Sequence, residues 1–479
     1  MKLTSAQNDR AAGVLLGQAC GDALGVPYEF ATPPVGEAQM LGGGLGPYAP
    51  GEWSDDTQMA ICIARVAATG TDLTSVAARD DVATAFEAWR ANGASDIGNQ
   101  TRAVLRGAAQ QTGSSSQRLL SASAVVHRRS GRSAGNGALM RTGVVGLTGL
   151  FDRDHTAASA RALAELTHYD WVAGDSAVLW SEAVRVAVVH GRLDLAGGLD
   201  LIPAERQGLW RTWVREATGA EPKLFNPNGY TVTALQAAWA AITSTDRGDG
   251  SPIHLQRGLQ AAVKAGDDTD TVAAIAGGLL GARYGASAVP ARWRRQVHGW
   301  PGLRARDLVS LAALTATGGK PSSRFPLAST MADGYEPECA VPHPHDPDVL
   351  MGTFADLFRT PELGIDAVVS LCRLGVEDAK VDGVAPGDHV EVWLVDSEDP
   401  DSNQHLEFVL DDAAAAVAMF RAEGKRVLLH CVAAHHRTPS VALCYSRLLG
   451  VDSREAATAI QSALGSHIGG HLWDVARHG

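Results

Sequence analysis

Two short acidic segments carry the residue types best suited to binding a cation. They are 54–57, Ser-Asp-Asp-Thr, and 267–271, Asp-Asp-Thr-Asp-Thr, and each directly precedes a predicted helix. Helix capping accounts for one Asp in each segment, because its side chain accepts free amides of the first turn. Adjacent carboxylates repel one another, however, so five of them in two loops are better explained by bound dications. Such oxygen ligands favour Mg²⁺, Mn²⁺ or Ca²⁺ over zinc or copper.

Two further acids could contribute to the same chemistry. Glu29 ends a glycine-spaced stretch that begins at residue 17, and Asp96 lies in the segment 95–99, Ser-Asp-Ile-Gly-Asn. Each acid alone is more simply explained as a solvated loop residue or a helix cap.

The segment 427–438 contains the residue types of a nucleophilic phosphate site. Its pattern predicts a strand, a loop and a helix, with Cys431 in the loop and Arg437 six residues later. A loop at a helix N-terminus directs amides at a phosphate, and the same positive end lowers the pKa of a thiol. Arg437 could hold two phosphate oxygens at once. The simpler alternative is a buried core cysteine that follows a strand.

The spacing Cys431-x5-Arg437-Thr438, directly after a histidine, resembles the signature of the protein tyrosine and dual-specificity phosphatases. The resemblance implies that Cys431 attacks phosphorus and that Thr438 assists the departure of the thiolate. A general acid would come from an upstream acidic loop, with Asp396 as the first candidate and Asp399 as the second.

The cysteine segment departs from that family at two positions. Family members commonly have glycine where this chain has Ala434 and His436, and the loop needs unusual backbone angles there. Alanine and histidine both disfavour a positive φ. The imidazoles of His435 and His436 could add positive charge for an anion, or they could distort the loop. Phosphate binding without turnover is therefore the alternative.

The elements before residue 318 are predicted to be helices throughout. Small and apolar residues recur at helical spacing, strand-like alternation is nearly absent, and glycine-rich segments separate the helices. The predicted helices are 59–68, 81–91, 157–166, 177–189, 232–242 and 271–281. Residues 1–317 are therefore predicted to form one all-helical domain.

The composition changes after residue 317. Residues 318–347 are rich in proline and poor in aliphatic side chains, which predicts an interdomain linker. Beyond it, β-branched runs alternate with helical patterns, which predicts a small α/β domain, 348–479, with a mostly parallel sheet. The predicted strands are 367–371, 389–394 and 426–429, and the predicted helices are 411–423, 439–449 and 454–464.

Length and charge limit the classes of function. With 479 residues, 45% hydrophobic and 20% charged, the chain exceeds one core and is not largely disordered. Its 41 basic and 53 acidic residues give a net charge of -12, which opposes non-specific binding to nucleic acid. Neither a signal core nor an apolar run of membrane length is present, and the six cysteines form no zinc spacing. We therefore expect a soluble cytoplasmic protein without a membrane partner.

Six short segments, in this order, resemble the ADP-ribosylglycohydrolase family of the dinitrogenase-reductase-activating type. They are 17–30, 54–57, 96–99, 135–141, 166–168 and 266–281. The resemblance covers roughly the length of one whole domain. It implies an all-helical fold with a binuclear Mg²⁺ or Mn²⁺ centre that removes ADP-ribose from a modified acceptor.

The resemblance also implies a set of metal ligands by position. They are Ser54, Asp55, Asp56, Asp268, Asp270 and Thr271. Glu29 would lie beside them. Ser54 stands where threonine is usual and offers the same hydroxyl. Asp267 stands where glycine is common, and its carboxylate is expected to point to solvent.

The implied chemistry is hydrolysis at the anomeric carbon of the ribose. Two metal ions could bind the ribose hydroxyls and lower the pKa of a bridging water that attacks this carbon. Asp96 or Glu29 would act as base or relay. The substrate-binding residues would be Gly135, Asn136, Gly137, His168 and Tyr230. The glycines would bring amides close to the pyrophosphate, the histidine would lie near the phosphates and the tyrosine could stack on adenine. The histidine and the tyrosine are equally well explained as packed or capped residues.

Two alternatives to this function remain open from the sequence. Both domains could bind their ligands without turnover, as a reader of ADP-ribose and phosphate. The metal site could also act on ADP-ribose attached to nucleic acid or to a metabolite, since it recognises the ribose and not the leaving group.

Overall fold

The computed structural model describes residues 3–322, 326–330 and 337–478. The chain divides into two compact units. We call Gln7–Val289 with Gln296–Lys320 the helical unit, and Met1–Ala6, Pro290–Arg295 and Pro321–Gly479 the sheet unit. Among the described residues, no helix combines the length and the apolarity that crossing a bilayer requires.

The helical unit consists of α-helices joined by short loops. The helices up to residue 284 are α1 Ser5–Gly25, α2 Asp55–Ala67, α3 Val76–Asn92, α4 Asn99–Ala108, α5 Ser115–Ser130, α6 Leu139–Thr142, α7 Arg153–Glu165, α8 Trp171–His190, α9 Ala204–Ala217, α10 Thr231–Thr245, α11 Ile253–Lys264 and α12 Thr269–Tyr284. After α13 Ala291–Gln296, which belongs to the sheet unit except for its last residue, the helical unit continues with the two-residue strands β1 His298–Gly299 and β2 Leu303–Arg304 and with α14 Ala305–Ala316. Ser75, Asp152 and Asp170 begin α3, α7 and α8 by accepting first-turn amides.

Helices α1 and α12 pack backbone against backbone because small residues face each other. A Cβ atom at Gly17 would overlap the carbonyl oxygen of Gly277, and one at Gly25 would overlap the backbone of Asp270. Thr269 Oγ1 donates to the Gly25 carbonyl at 2.8 Å across the same contact. The end of α1 is therefore fixed against the first turn of α12, where acids of both helices meet.

The sheet unit contains one five-stranded sheet with helices packed on it. Its strands are β3 Val341–His343, β4 Asp346–Gly352, β5 Ala367–Ser370, β6 His389–Glu391 and β7 Val427–His430, and its remaining helices are α15 Thr360–Leu363, α16 Leu406–Ala422, α17 Arg437–Leu448, α18 Ser453–Leu464 and α19 His471–His478. The strand order is β3-β4-β7-β5-β6, antiparallel between β3 and β4 and parallel elsewhere. Gly352 and Ser370 both pair with His430, so the parallel strands β4, β5 and β7 end side by side at one edge of the sheet. Cys431 directly follows β7 at this edge.

The observed elements agree with the predicted ones in type and differ in extent. The structure confirms the mostly helical N-terminal part, apart from the short pair β1 and β2, and a small, largely parallel sheet after it. Strand β6 ends at Glu391, three residues earlier than predicted. Strands β3 and β4 were missed because the prolines at 342, 344 and 347 hide the strand pattern. The edge strand β3 tolerates a proline, and the proline in β4 precedes Val349, where pairing with β7 begins.

The compact units differ from the predicted domain boundaries at two places. The predicted linker 318–347 contains β3 and the start of β4, while 323–325 and 331–336 lie outside the described residues. Pro290–Arg295 groups with the sheet unit, although 1–317 was predicted to be one domain. The reason is a set of polar contacts: Asp412 accepts the Ala291 N–H at 3.0 Å and pairs with Arg294 at 3.2 Å.

Candidate functional sites

Acidic side chains from three helices meet in the helical unit. Asp22 lies near the end of α1, Asp56 in the first turn of α2 and Asp270 in the first turn of α12. One carboxylate oxygen of each lies within 4.8 Å of the others, and the same holds for Glu29, Asp268 and Asp270. Since Asp270 belongs to both groups, these five residues form one continuous acidic cluster.

Asp22 belongs to this cluster, although the sequence assigns it no role. Its carboxylate accepts the N–H and Oγ–H of Ser54, both at 2.8 Å, and the N–H of Thr57 at 3.0 Å. It therefore caps α2 from α1 across 32 to 35 residues of sequence. The only signal in the sequence is an Asp in a glycine-spaced helix, which does not by itself indicate a ligand.

Asp56 has a carboxylate oxygen that suits a metal ion. Its Oδ1 is buried and has no hydrogen-bond partner among the described residues, while Oδ2 accepts the Ser54 hydroxyl at 3.1 Å. A buried carboxylate oxygen without a donor is costly, and a cation would remove that cost. The donors in the cluster are carboxylate and hydroxyl oxygens, which fit Mg²⁺, Mn²⁺ or Ca²⁺.

Burial and mutual repulsion raise the pKa values of these acids. Burial, followed by neighbouring carboxylates, raises the pKa of Glu29 to about 9. Burial, followed by the charge of Asp96, raises the pKa of Asp55 to about 8. The pKa values of Asp56 and Asp270 lie well above the ordinary range, mainly through burial. A bound dication would favour the charged forms of all these groups.

The six predicted metal ligands all lie at the N-terminal ends of α2 and α12. They are Ser54, Asp55, Asp56, Asp268, Asp270 and Thr271. The Ser54 hydroxyl contacts two carboxylates of the cluster, and the Thr271 N–H donates to Asp270 Oδ1 at 2.9 Å.

Of the two predicted bases, Glu29 belongs to the cluster, and Asp96 lies close enough to act on it through its charge. Glu29 contributes an oxygen to one of the carboxylate groups. Asp96 is partly exposed, and its Oδ1 accepts the Ile97 N–H at 2.8 Å and lies 3.4 Å from Arg102 Nη2. Its charge contributes to the raised pKa of Glu29, after burial and nearer carboxylates. Geometry therefore leaves both acids as candidate bases.

In the glycine-rich loop, residues 135–137, which was predicted to bind pyrophosphate, two backbone N–H groups are hydrogen-bonded within the protein. The Gly135 N–H donates to a glutamine side chain at 3.4 Å, and the Asn136 N–H donates to Gly229 O at 3.1 Å. Of the three predicted amides, that of Gly137 is then the main candidate for a phosphate. The Asn136 side chain points elsewhere, since its Nδ2 donates to Asp268 Oδ2 at 2.8 Å.

His168 packs against this loop as a buried, neutral side chain. A Cβ at Gly137 would lie 3.2 Å from His168 Cε1, and one at Gly135 would lie 3.3 Å from Nε2. Burial, with the nearby charge of Arg141, keeps the pKa of His168 well below its usual value. Arg141 was missed as a functional candidate: its guanidinium donates to Gly137 O at 2.9 Å and to Thr167 Oγ1 at 2.6 Å. It therefore holds the loop in place.

Tyr230 lies next to the same loop. Its backbone forms an isolated antiparallel bridge with Gly135, and its side chain is 43% exposed. An exposed aromatic ring beside the loop suits the predicted contact with adenine.

One oxygen of the Asp267 carboxylate, which was expected to point to solvent, is engaged by the protein. Its Oδ2 accepts the Asn228 N–H at 2.9 Å, and the buried Asn228 in turn accepts the Asp268 N–H at 2.9 Å. Both Asp267 and Phe30 have a positive φ, 68° and 48°, and the Phe30 N–H donates to Asp267 O at 2.7 Å. Asn228 was missed because its segment, Asn-Pro-Asn-Gly, has the pattern of an ordinary turn.

In the sheet unit, the cysteine loop, residues 431–436, connects β7 to α17. Cys431 is 1% exposed. Arg437 Nη1 donates to the carbonyl of Leu371, the residue after β5, at 3.1 Å. The Nε atom of Arg437 lies 3.4 Å from Asp396 Oδ2. Asp396 Oδ1 is also 3.1 Å from His436 Nδ1. The predicted general acid and the predicted anion-binding arginine are thus neighbours at this loop.

Backbone strain in the cysteine loop was expected at Ala434 and His436, and it is found at Ala434 alone. Ala434 has a φ of 56°, in the region that glycine favours, whereas His436 has a φ of −125°. Thr438 is buried, and its hydroxyl donates to Gly352 O at 3.5 Å. His435 is exposed, with its ring centroid 6.4 Å from that of His436.

A buried polar chain behind the cysteine loop was not predicted. His430 Nε2 lies 2.7 Å from Ser370 Oγ, which lies 2.8 Å from His389 Nε2. Burial lowers the pKa of His430 to about 3, so this ring is neutral. His430 therefore adds no positive charge beside Cys431, and Arg437 is the fixed cation next to this loop.

Comparisons with known proteins identify relatives of the helical part. The ADP-ribosylglycohydrolase family profile matches residues 3–322. ADP-ribosylarginine hydrolase Tri1 of Pseudomonas putida (strain GB-1) is 33% identical over 308 residues, covering 60% of this chain and 74% of that protein. ADP-ribosyl-[dinitrogen reductase] glycohydrolase of Rhodospirillum rubrum is 30% identical over 295 residues, covering 60% of this chain and 89% of that protein. A comparison with solved structures also finds the crystal structure of human DUSP28, with a TM-score of 0.25 and 19% sequence identity. The match covers 30% of this chain and 95% of the DUSP28 chain.

Proposed function

This chain belongs to the ADP-ribosylglycohydrolase family, and from that premise we propose that it hydrolyses the bond between ADP-ribose and an arginine side chain of a protein. The arginine linkage is taken from the name of the Pseudomonas putida relative. ADP-ribose on nucleic acid or on a metabolite is the alternative substrate, because a site that binds ribose does not itself select the leaving group. The cytoplasmic location expected from the cysteine usage is part of this proposal.

One observation carries the proposal: the unpartnered Oδ1 of buried Asp56 lies in a set of carboxylates that approach one another closely. A pair of divalent ions, Mg²⁺ or alternatively Mn²⁺, would satisfy this set. The ligands would come from the predicted residues at the starts of α2 and α12, together with Asp22 and Glu29. When bound, the ions supply positive charge that holds the ribose hydroxyls and makes water more acidic.

The reaction breaks the bond from the anomeric carbon to the guanidinium nitrogen and forms a bond to a water oxygen. The hydroxyl of water remains on the carbon, and its proton ends on the departing guanidine, which becomes a guanidinium again. Glu29 or Asp96 carries that proton. Glu29 belongs to the acidic cluster, whereas Asp96 lies close to it, so both acids are near the proposed site of attack.

The ADP part of the substrate would lie along the glycine-rich loop. Gly137 offers an amide for the pyrophosphate, and the exposed Tyr230 offers a ring for adenine. Asn136 and His168 would position other groups and not bind the substrate themselves. Asn136 donates to Asp268, and His168 packs against the glycine-rich loop.

The test of this activity is release of ADP-ribose from matched conjugates. Arginine-linked, serine-linked and nucleic-acid-linked ADP-ribose are each incubated with the protein in Mg²⁺ and in EDTA, beside an Asp55→Ala, Asp268→Ala double variant. We expect release from the arginine conjugate in Mg²⁺ alone, and none from the double variant. Tight binding of ADP-ribose without release from any conjugate would instead favour a reader.

For the sheet unit we propose a phosphate-monoester site at the cysteine loop. The supporting observation is that Cys431 follows a buried strand while Arg437 and Asp396 lie beside the loop. Cys431 Sγ would attack phosphorus, Asp396 would give its proton to the departing alcohol, and water would then release phosphate. Arg437 would turn from Asp396 to the phosphate oxygens, and Thr438 would assist departure of the thiolate.

Binding without turnover is the alternative for the cysteine loop, because Ala434 carries backbone strain there. Phosphate release from a phosphotyrosine peptide and from a small aryl phosphate distinguishes the two. A phosphatase loses release in Cys431→Ser and slows strongly in Asp396→Asn, whereas a reader shows phosphate binding but no release even in the unmodified protein.

A further inference from the structure

Beside the acidic cluster the helical unit has an open cavity of about 580 Å³. Its lining residues are Phe30, Ala31, Asn226, Pro227 and Asp267. Two of these residues directly adjoin cluster residues, since Phe30 follows Glu29 and Asp267 precedes Asp268. The backbone that lines the cavity is therefore continuous with the backbone that carries two acids of the cluster.

Phe30 and Asp267 both have a positive φ, which is unfavourable for Phe30. Their φ values are 48° and 68°, and a bulky aromatic residue in this region is an outlier. One hydrogen bond, from the Phe30 N–H to Asp267 O at 2.7 Å, joins the two residues. Aspartate adopts a positive φ more readily than most residues, so the unfavourable conformation is that of Phe30, and this hydrogen bond helps to hold it.

The two side chains offer what a planar cation needs. Phe30 is 58% exposed, which leaves a face of its ring open for stacking. One oxygen of the Asp267 carboxylate accepts the Asn228 N–H, and a carboxylate has room for further donors. An aromatic face and a carboxylate in one cavity are the pair that a guanidinium uses.

We propose that this cavity holds the guanidinium of the acceptor arginine, stacked on Phe30 and hydrogen-bonded to Asp267. The inference rests on the proposed hydrolase activity and explains why that activity would select the arginine linkage. A serine-linked ADP-ribose has no cation at this point and gains nothing from either side chain. The carboxylate also opposes the other occupant that could stack on Phe30, an adenine with its pyrophosphate, because the phosphates are negative.

The test compares Asp267→Asn and Phe30→Leu with the unmodified protein. Asparagine keeps an acceptor for the Asn228 N–H and tolerates a positive φ, so the first change removes the charge alone. Matched controls are Asp81→Asn, on the exposed face of α3, and Phe151→Leu, whose side chain is 50% exposed outside this cavity. All assays use the full chain at saturating Mn²⁺, so that a change in metal affinity does not alter the measured KM.

We expect each variant to raise KM for an arginine-linked ADP-ribosyl peptide about tenfold. Free ADP-ribose should inhibit the variants and the unmodified protein equally, and any turnover of a serine-linked peptide should be unchanged. The controls should behave as the unmodified protein. Equal losses on arginine and serine conjugates, or weaker inhibition by free ADP-ribose in Phe30→Leu, would overturn the inference and assign the cavity to another part of the substrate.

A second readout separates this inference from the proposed activity. Binding of the arginine conjugate and of free ADP-ribose is measured in EDTA, which stops turnover. If the conjugate binds more tightly than ADP-ribose, and Asp267→Asn removes the difference, the cation site stands even where no hydrolysis is found. If the two ligands bind equally to the unmodified protein, the cation site is excluded whether or not the protein is a hydrolase.

Discussion

Asn136 Nδ2 donates to Asp268 Oδ2 at 2.8 Å, and this hydrogen bond joins the glycine-rich loop to the acidic cluster. The same amide nitrogen lies 3.2 Å from Asn228 O, while Asn228 Oδ1 accepts the Asp268 N–H. Asp268 is thus held by two asparagines from loops 132 and 40 residues away. A side chain expected to touch substrate is therefore placed to orient a carboxylate that we predict to bind metal.

Asn136→Ala should weaken metal binding more than substrate binding. Without its donor the Asp268 carboxylate loses orientation, and the affinity for Mn²⁺ should fall about 10- to 100-fold. At saturating Mn²⁺, KM for an ADP-ribosyl conjugate should change little. Titration of activity with Mn²⁺ measures both, with the exposed Asn92→Ala as control. Normal Mn²⁺ affinity with a raised KM would show that Asn136 contacts the substrate directly.

Asp56→Asn should stabilise the metal-free protein and remove its response to metal. The change takes one carboxylate out of a buried, mutually repelling set, so the melting temperature in EDTA should rise at pH 8. The unmodified protein should gain about 2.7 kcal/mol from an ion at 100 times its dissociation constant, and the variant should gain almost nothing. Thermal unfolding with and without Mg²⁺ tests this, and Asp81→Asn should behave as the unmodified protein. An equal metal response in both variants would contradict the site.

The stability of the metal-free protein should fall as the pH rises. The pKa of Asp55 is about 8 and that of Glu29 about 9 in the folded protein, raised first by burial from ordinary values of 3.8 and 4.5. Between the ordinary and the folded pKa values, the folded state binds more protons than the unfolded state, so stability decreases through this range. Melting curves in EDTA from pH 5 to 9 measure the slope, and saturating Mg²⁺ should flatten it. A slope that is the same with and without Mg²⁺ would show that the cluster does not bind the ion.

Ala434→Gly should stabilise the sheet unit. Alanine at a φ of 56° costs about 1 kcal/mol, and glycine adopts this conformation freely. The expected gain is therefore about 1 kcal/mol in denaturant unfolding, with any phosphate release equal or faster. The neighbouring Ala433→Gly serves as the control and should give no gain. Equal effects of the two changes would indicate that Ala434 is not strained in solution.

Local patterns were sufficient to predict most of the elements. The helical spacing before residue 318 and the alternation of strands and helices after it are properties of short windows, so α2, α8, α12, β5 and β7 were found near their observed positions. Strands β3 and β4 were not found, because their prolines obscure the pattern and they become strands by pairing with each other and, for β4, with β7.

Long-range contacts explain what the sequence did not predict in the sites. The acidic segments were recognisable because their carboxylates are adjacent along the chain. Asp22, Arg141 and Asn228 take part through hydrogen bonds to residues 26 to 40 positions away, which no local pattern contains. Asp267 shows the same limit: its contact with Asn228 depends on how two loops meet.

The most direct test of the account is metal rescue of ADP-ribose release from an arginine conjugate. The full chain is stripped with EDTA, assayed, and assayed again after Mg²⁺ or Mn²⁺ is added, beside Asp56→Asn and the control Asp81→Asn. We predict no release after stripping, full recovery with metal in the unmodified protein and in Asp81→Asn, and at least a hundredfold loss in Asp56→Asn. Release that survives stripping, or an Asp56→Asn variant as active as the control, would contradict the claim that the acidic cluster is a metal-dependent hydrolytic centre.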